Sequence, residues 1–259
     1  MELNEYLRTS EAVLQFARQY LGKRGWFASL DGVPRNNDGE VPWITYPAFQ
    51  QLKRIVKPEL RVFEYGCGAS SLWWGRHVRE VVSVDHNAAW ANMTIGARLE
   101  SLTVVVREMD APVEASRSRI LEPFFASEPY LPLSNSVQHN IDHGLLCRQF
   151  ASYALELTRY PVGHFDIVVV DGMARVLTAW LAARYVNPQG LIVFDNAERW
   201  QYNSAYQALR DQGFYRIDYY GPGPVNRQEW CTSIFTKTLQ PFSASIDSPK
   251  MADNDLEPV

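Results

Sequence analysis

The chain has 259 residues, 46% hydrophobic and 21% charged, with a formal net charge of −4. That length and balance fit one sizeable soluble α/β domain, and the negative charge argues against a sequence-independent nucleic-acid binder, which needs a basic stripe to neutralise phosphates. The three cysteines, Cys67, Cys147 and Cys231, show no C-x-x-C spacing, which argues against a structural zinc site and points to a reducing compartment. The first residues lack the basic and apolar regions of a secretory signal, and no apolar run nears the ~18 residues of a membrane span. The expectation is therefore a soluble, cytoplasmic protein with neither a nucleic-acid nor a membrane partner. A homodimer is compatible with the composition.

In chain order, residues 3–21 carry apolar side chains at helical spacing (Leu7, Val13, Leu14, Phe16, Ala17, Tyr20, Leu21) and end in Gly22-Lys23. Residues 25–42 are rich in Gly, Pro, Asn and Asp and read as a long loop. Its flanking aromatics, Trp26, Phe27, Trp43 and Tyr46, predict a docked lid. A short helix at 47–56 leads into a strand at 60–65. Alternation then becomes regular: a helix at 71–78, a strand at 80–84, a helix at 88–99 and a strand at 102–107. After a longer gap come a strand at 165–170, a helix at 175–185, a strand at 190–194 and a helix at 203–212. Strands at 214–220 and 230–237 have no helix between them, so that pair must be antiparallel.

The pattern predicts a doubly wound, mostly parallel seven-stranded α/β sheet with a C-terminal antiparallel hairpin. Residues 1–58 form an N-terminal helical and lid segment, 59–238 the main domain, and 239–259 a polar tail expected to be disordered. An insertion is expected at 112–137, holding Pro112, Pro123, Pro129 and Pro132 with exposed-looking Phe124, Phe125 and Tyr130, before a helix at 144–158.

The most informative stretch is Val62-Phe63-Glu64-Tyr65-Gly66-Cys67-Gly68-Ala69-Ser70-Ser71. A buried strand runs into an acid, then a glycine turn that lets backbone approach a ligand, then hydroxyls (Ser70 or Ser71) suited to cap the next helix. A dinucleotide fingerprint would place a third glycine where Ser71 stands, and Glu64 would repel a pyrophosphate while suiting a cationic ligand with an amino group. Asp85 comes 19 residues after Gly66 at the tip of the second strand, where a carboxylate accepts hydrogen bonds from ribose hydroxyls.

The pattern E-x-G-x-G-x-S resembles motif I of class I S-adenosylmethionine (SAM) methyltransferases, and the whole strand-helix layout over 60–237 resembles that fold. The resemblance implies SAM as cofactor, held by Glu64, Tyr65, Gly66, Gly68, Ser70, Ser71, Asp85, His86, Asp110 and Asp171, with Asp110 meeting the adenine amino group. Trp90 is read as a core residue or as a flank for the adenine.

Acids also end the fourth and fifth main strands, at Asp171-Gly172 and Asp195-Asn196. Such hard oxygens can hold a magnesium- or calcium-like divalent cation, although Asp-Gly is also an ordinary turn and Asp-Asn an ordinary helix cap. The arrangement is similar to catechol-type and caffeoyl-CoA-type O-methyltransferases, which implies a metal at Asp171, Asp195 and Asn196. Asp171, His139 and His143 are the candidate catalytic bases. Arg175 and Arg199 either neutralise the neighbouring acids or grip an anionic substrate.

Residues 42–47, 62–66, 221–224 and 229–233 are further similar to a group of bacterial SAM methyltransferases without a settled substrate, some in sugar or polysaccharide settings. The leading expectation is a SAM-dependent methyltransferase acting on oxygen of a small molecule or sugar. An NAD-dependent oxidoreductase and a non-catalytic SAM-binding protein are the alternatives.

Overall fold

The computed structural model describes residues 10–110, 119–127 and 146–243. Helix α1 (Ser10–Lys23) leads into a 3-10 turn (Trp26–Ser29) and a two-strand ribbon of β1 (Arg35–Asn36) and β2 (Gly39–Glu40). The stretch expected to be a long loop thus carries short elements of its own, turned by Gly25 at φ 82°. It is docked: Trp26 Nε1 donates to Asn226 O at 2.8 Å, Ser29 Oγ accepts from Val225 N at 2.9 Å, and Glu40 pairs with Arg76 at 2.7 Å.

The main sheet unfolds in sequence as α2 (Tyr46–Ile55), β3 (Arg61–Tyr65), α3 (Ala69–His77), β4 (Glu80–Asp85), α4 (Ala88–Ile95) and β5 (Leu102–Val106). After α5 (Glu122–Ala126) and α6 (Ala151–Leu155) come β6 (Phe165–Val170), α7 (Arg175–Tyr185), β7 (Val186–Asp195), α8 (Asn203–Asp211), β8 (Tyr215–Gly221), β9 (Trp230–Thr236) and α9 (Gln240–Ser243). The strand order is β5-β4-β3-β6-β7-β9-β8. Strands β3 to β7 are parallel, and β9 runs antiparallel between β7 and β8. The doubly wound sheet and its C-terminal hairpin are those that the alternation of strands and helices predicts, and the strand order matches the class I methyltransferase fold that the sequence resembles.

Side chains alternate across the strands, so one sequence builds two cores. Phe63, Tyr65, Val168, Val170, Ile192 and Phe194 face α6, α7 and α8 on one side of the sheet. Val62, Val81, Ile167, Val169, Leu191 and Val193 face α2 and α3 on the other. Burial on both faces explains the near-continuous β-branched runs of β4 and β6.

Several local expectations are corrected. Phe124 is buried and meets Trp180 edge-on at 5.5 Å, so it belongs to the core and is not an exposed aromatic. Phe125 is partly buried, while Tyr130 lies outside the described residues, as does most of 112–137. The helix expected over 144–158 is broken: residues 146–149 are helical, then come α6 and a 3-10 turn (Glu156–Arg159). Strand β7 starts at Val186, earlier than 190, because the pairing with β6 shifts register between Phe165 and Ile167. Gly190 makes that shift feasible, since a Cβ there would sit 2.3 Å from Asp166 O. Helix α4 stops at Ile95, before Gly96 and Arg98 at φ 51°. Of the expected tail, α9 is helical and residues 244–259 lie outside the described residues. Among the described residues no helix is long and apolar enough to cross a membrane.

Crossovers leave β3 toward β4 and return to β6 on its other side, so the carboxyl ends of β3 and β6 form the switch point where doubly wound sheets hold ligands. The two loops nearly touch there. A Cβ on Gly172 would lie 1.9 Å from Tyr153 Oη and 2.9 Å from Gly66 N. Gly172→Ala is therefore expected to destabilise the fold by about 1–3 kcal/mol through overpacking. Adding Tyr153→Phe removes the overlapping oxygen, leaves Cζ at 3.1 Å, and should recover part of the loss. Urea denaturation of the single and double variants checks this; a Gly172→Ala protein as stable as wild type contradicts the close approach.

Candidate functional site

The glycine loop between β3 and α3 is organised by two carboxylates. Gly66, at φ 98°, donates its N–H to Val84 O at 2.8 Å. Cys67 N donates to Asp85 Oδ2 at 2.9 Å, and Gly68 N donates to Ser71 Oγ at 3.1 Å. Ser71 Oγ in turn donates to Glu64 Oε2 at 2.5 Å, and Ser83 Oγ donates to the same oxygen at 2.7 Å. Three successive loop N–H groups are thus engaged within the protein and withheld from a ligand. Gly68, and not a serine, is the N-cap of α3; Ser71 closes the first turn from inside.

Asp85 is 6% exposed and also accepts from Asn87 N through Oδ1 at 2.8 Å, with His86 Nδ1 3.3 Å from that oxygen. Asn87 Oδ1 caps α4 by accepting from Ala89 N at 3.0 Å and Trp90 N at 3.2 Å. That cap places Trp90 over the loop, where its Nε1 donates to Cys67 O. Trp90 is 43% exposed and therefore is not a core residue. A Cβ on Gly68 would come within 3.2 Å of Trp90 Nε1, so this position needs glycine for clearance.

The strand-end acids of β6 and β7 converge, but around a guanidinium. Arg175 Nε donates to Gly172 O at 3.0 Å, Nη2 to Asp171 O at 2.8 Å and Asp171 Oδ1 at 3.0 Å, and Nη1 to Asp195 O at 2.5 Å and Asn196 Oδ1 at 3.1 Å. All five of its donors are engaged by this set. Asp195 is buried, and its Oδ1 accepts from Trp230 Nε1 at 2.9 Å and Thr232 Oγ1 at 2.5 Å. The expected divalent-cation set of Asp171, Asp195 and Asn196 does not fit an ion. Asp171 Oδ1, Asp195 Oδ1 and Asn196 Oδ1 already accept hydrogen bonds from arginine, tryptophan or threonine, and Arg175 stands among the three side chains, where a second cation would be repelled. Among the described residues no group of three or more His, Cys, Asp or Glu side chains is placed to hold a metal.

These elements border one cavity of about 570 Å³, within the usual range for a small-molecule site. Of the sequence-predicted residues, Gly66, Gly68, Ser70, Asp85, His86, Asp171, Asp195 and Asn196 line it. Glu64, Tyr65 and Ser71 do not; they lie buried beneath the loop, with Tyr65 Oη donating to Ala154 O at 2.7 Å. Asp110 is also off the wall, its Oδ2 accepting from Ser152 N at 2.6 Å at the start of α6. His139 and His143 lie outside the described residues. Sequence reasoning missed Trp43, Asn226 and Trp230 as wall residues. Two of them stand in the tryptophan-containing segments 42–47 and 229–233, a signal that was available.

Burial sets the electrostatics. The Asp171 carboxyl is pushed above the ordinary aspartate range by desolvation, against the opposing pull of Arg175. Asp195 is raised by desolvation and then by the Asp171 charge. Desolvation and nearby Asp85 push the Cys67 thiol up to about 12, so it stays protonated and is no nucleophile.

No protein-family model and no curated protein matches the chain. Among solved structures it is similar to a methyltransferase-like protein from Silicibacter pomeroyi, with 19% identity over 85% of this chain and 100% of that one and a TM-score of 0.42. It is also similar to a precorrin-6y C5,15-methyltransferase from Geobacter metallireducens, with 13% identity over 79% and 96% and a TM-score of 0.46. A third is an rRNA methylase from Streptococcus thermophilus, with 10% identity over 76% and 99% and a TM-score of 0.43. At this level of similarity no activity and no acceptor is carried across.

Glu64 gives the site a measurable signature. Burial pushes its carboxyl from 4.5 up to about 7, and its Oε1 has no hydrogen-bond partner among the described residues. The folded chain therefore holds this proton more tightly than the unfolded chain. The resulting stabilisation is complete below pH 4.5 and is lost as pH rises through about 7. Glu64→Gln cannot ionise, so the stability of wild type relative to the variant should fall by up to about 3 kcal/mol across that window. Urea unfolding of both proteins at several pH values measures it, and parallel pH profiles contradict it.

Proposed function

We propose that this protein is a SAM-dependent methyltransferase that methylates an oxygen of a small molecule or sugar. The observation that carries the reading is the polarity of the crevice floor. Its loop N–H groups at 66–68 are turned inward, while the carboxylates of Asp85 and Asp171 border the cavity. A dinucleotide brings a pyrophosphate, which binds to exposed backbone N–H groups at a helix N-terminus. SAM brings ribose hydroxyls, an ammonium and a sulfonium, which suit a floor of acceptors and negative charge. The same polarity disfavours an NAD-dependent oxidoreductase.

On this reading Asp85 keeps lone pairs for the two ribose hydroxyls beyond those taken by Cys67 N and Asn87 N. The exposed ring of Trp90 flanks the base, and Gly66 and Gly68 give the ligand clearance over the loop. Glu64 supports the loop from beneath through Ser71. When bound, SAM supplies an electrophilic methyl group. Asp171 is the candidate base: Arg175 fixes its Oδ1, while its Oδ2 meets no protein donor among the described residues and the side chain is 29% exposed. Its raised pKa makes it a stronger base than an ordinary carboxylate, able to take the acceptor hydroxyl proton as the oxygen attacks. His139 and His143 are the further candidates for that role. The lid segment, through Pro34, forms part of the acceptor wall.

Calorimetry with S-adenosylhomocysteine and NAD tests the cofactor. The homocysteine derivative should bind and NAD should not. Asp85→Ala should weaken binding at least tenfold, since each charge-assisted hydrogen bond is worth ~1.5–3 kcal/mol. For the acceptor chemistry, label from methyl-labelled SAM should enter a small-molecule metabolite extract, and Asp171→Asn should slow that transfer by ~10²-fold or more at unchanged cofactor affinity. Binding of NAD in preference to S-adenosylhomocysteine would overturn the proposal.

A further inference from the structure

Two guanidiniums border the cavity, and they are in opposite states. Arg175 has every donor engaged by loop oxygens, and its side chain is 11% exposed. It holds the ends of β6 and β7 together and has nothing left for a ligand. The Arg199 side chain is 48% exposed and makes no hydrogen bond to a described residue. Its ion pair with Glu198 Oε1 is at 3.6 Å, beyond hydrogen-bond contact. Glu198 cannot close that gap freely, because its Oε2 accepts from Cys231 N at 3.0 Å. Among the described residues, the cavity therefore contains one cationic fork whose donors meet no protein acceptor at hydrogen-bond distance.

The surroundings of Arg199 separate it from the cofactor loop in chemistry. Asp85 and His86 stand at the end of β4 and Trp90 in α4, whereas Arg199 lies beyond the end of β7, and Trp43, Asn226 and Trp230 also line the cavity. Two indoles and an amide suit the ring and hydroxyl groups of a small acceptor, and an arginine fork matches the two oxygens of a carboxylate or the oxygens of a phosphate. Building on the methyltransferase reading, we infer that the methyl acceptor carries an oxyanion, a carboxylate or a phosphate, which Arg199 holds. Arg199 is a specificity-determining residue: it selects an acidic acceptor and seats it beside Asp171, while Arg175 keeps Asp171 in place.

The experiment starts from the protein saturated with S-adenosylhomocysteine. Failure of that first step would count against the methyltransferase reading, and it is seen before any acceptor is added. Glucuronate, glucose 6-phosphate and glucose are then titrated into the complex at low ionic strength, where the interaction is least screened. At least one charged sugar should bind tenfold or more tightly than glucose, and which one does so distinguishes carboxylate from phosphate. Arg199→Gln should abolish that preference while S-adenosylhomocysteine affinity stays within about threefold; loss of a charge-assisted contact is of this tenfold size. Arg199→Lys should retain part of it. Equal affinity for the three sugars, no binding of either anion, or a preference that survives Arg199→Gln overturns the inference. A large loss of S-adenosylhomocysteine affinity in Arg199→Gln also overturns it, by assigning the arginine to the cofactor.

Discussion

Asp85 Oδ2 accepts the N–H of Cys67 at 2.9 Å, and this contact joins the carboxyl ends of two adjacent parallel strands. In a doubly wound sheet the loop after the central strand faces any ligand that enters the switch point, so the direction of its N–H groups decides what is bound. Here Asp85 draws in one of them, Val84 O a second, and the Glu64–Ser71 pair a third. The crevice consequently presents acceptors where a dinucleotide fold presents donors. On the proposed reading, the preference for a cationic, hydroxyl-bearing ligand derives from that inversion, while glycine at 68 answers to the indole of Trp90 packed against it.

The second constraint lies one strand over. Acids that end β6 and β7 would repel each other in a buried crevice, and the fold compensates with Arg175, the first residue of α7. A helix that begins immediately after the β6 loop can return a side chain to both strand ends, which explains how one residue reaches Asp171, Gly172, Asp195 and Asn196. A guanidinium carries one charge where a divalent ion would carry two, so the acids are only partly neutralised. Burial raises the carboxyls of Asp171 and Asp195, and the single charge of Arg175 offsets that rise only in part.

The fold was legible because its signals are periodic and local. Short β-branched runs such as Val81-Val82-Ser83-Val84 and Ile167-Val168-Val169-Val170, bounded by turns, favour doubly buried strands, and the absence of a helix between 220 and 230 forces the hairpin. The candidate site was legible where chain position places a residue on the cavity wall: Gly66, Gly68 and Asp85 stand at or just after strand ends, and strand ends face the crevice. It was not legible where a side chain could turn either way. Glu64 and Ser71 belong to the same motif as Gly66, yet they point into the protein because each satisfies the other. The structure brings Asp171, Asp195 and Asn196 together, but around Arg175, and nothing in their spacing reveals that. Of the two readings of Trp90, the structure excludes the core residue; its exposure depends on the Asn87 cap, which aims it across the loop.

The central claim is that acceptor groups on the crevice floor, with Asp85 foremost, select the adenosyl cofactor. A crystal structure of the protein with S-adenosylhomocysteine tests it most directly. The account predicts the nucleoside over the 66–68 loop, both ribose hydroxyls on the Asp85 carboxylate, and the base against Trp90, with the Cys67 N–H still donating to Asp85. A ligand elsewhere in the cavity, or a loop that rotates to offer its N–H groups outward, would contradict it.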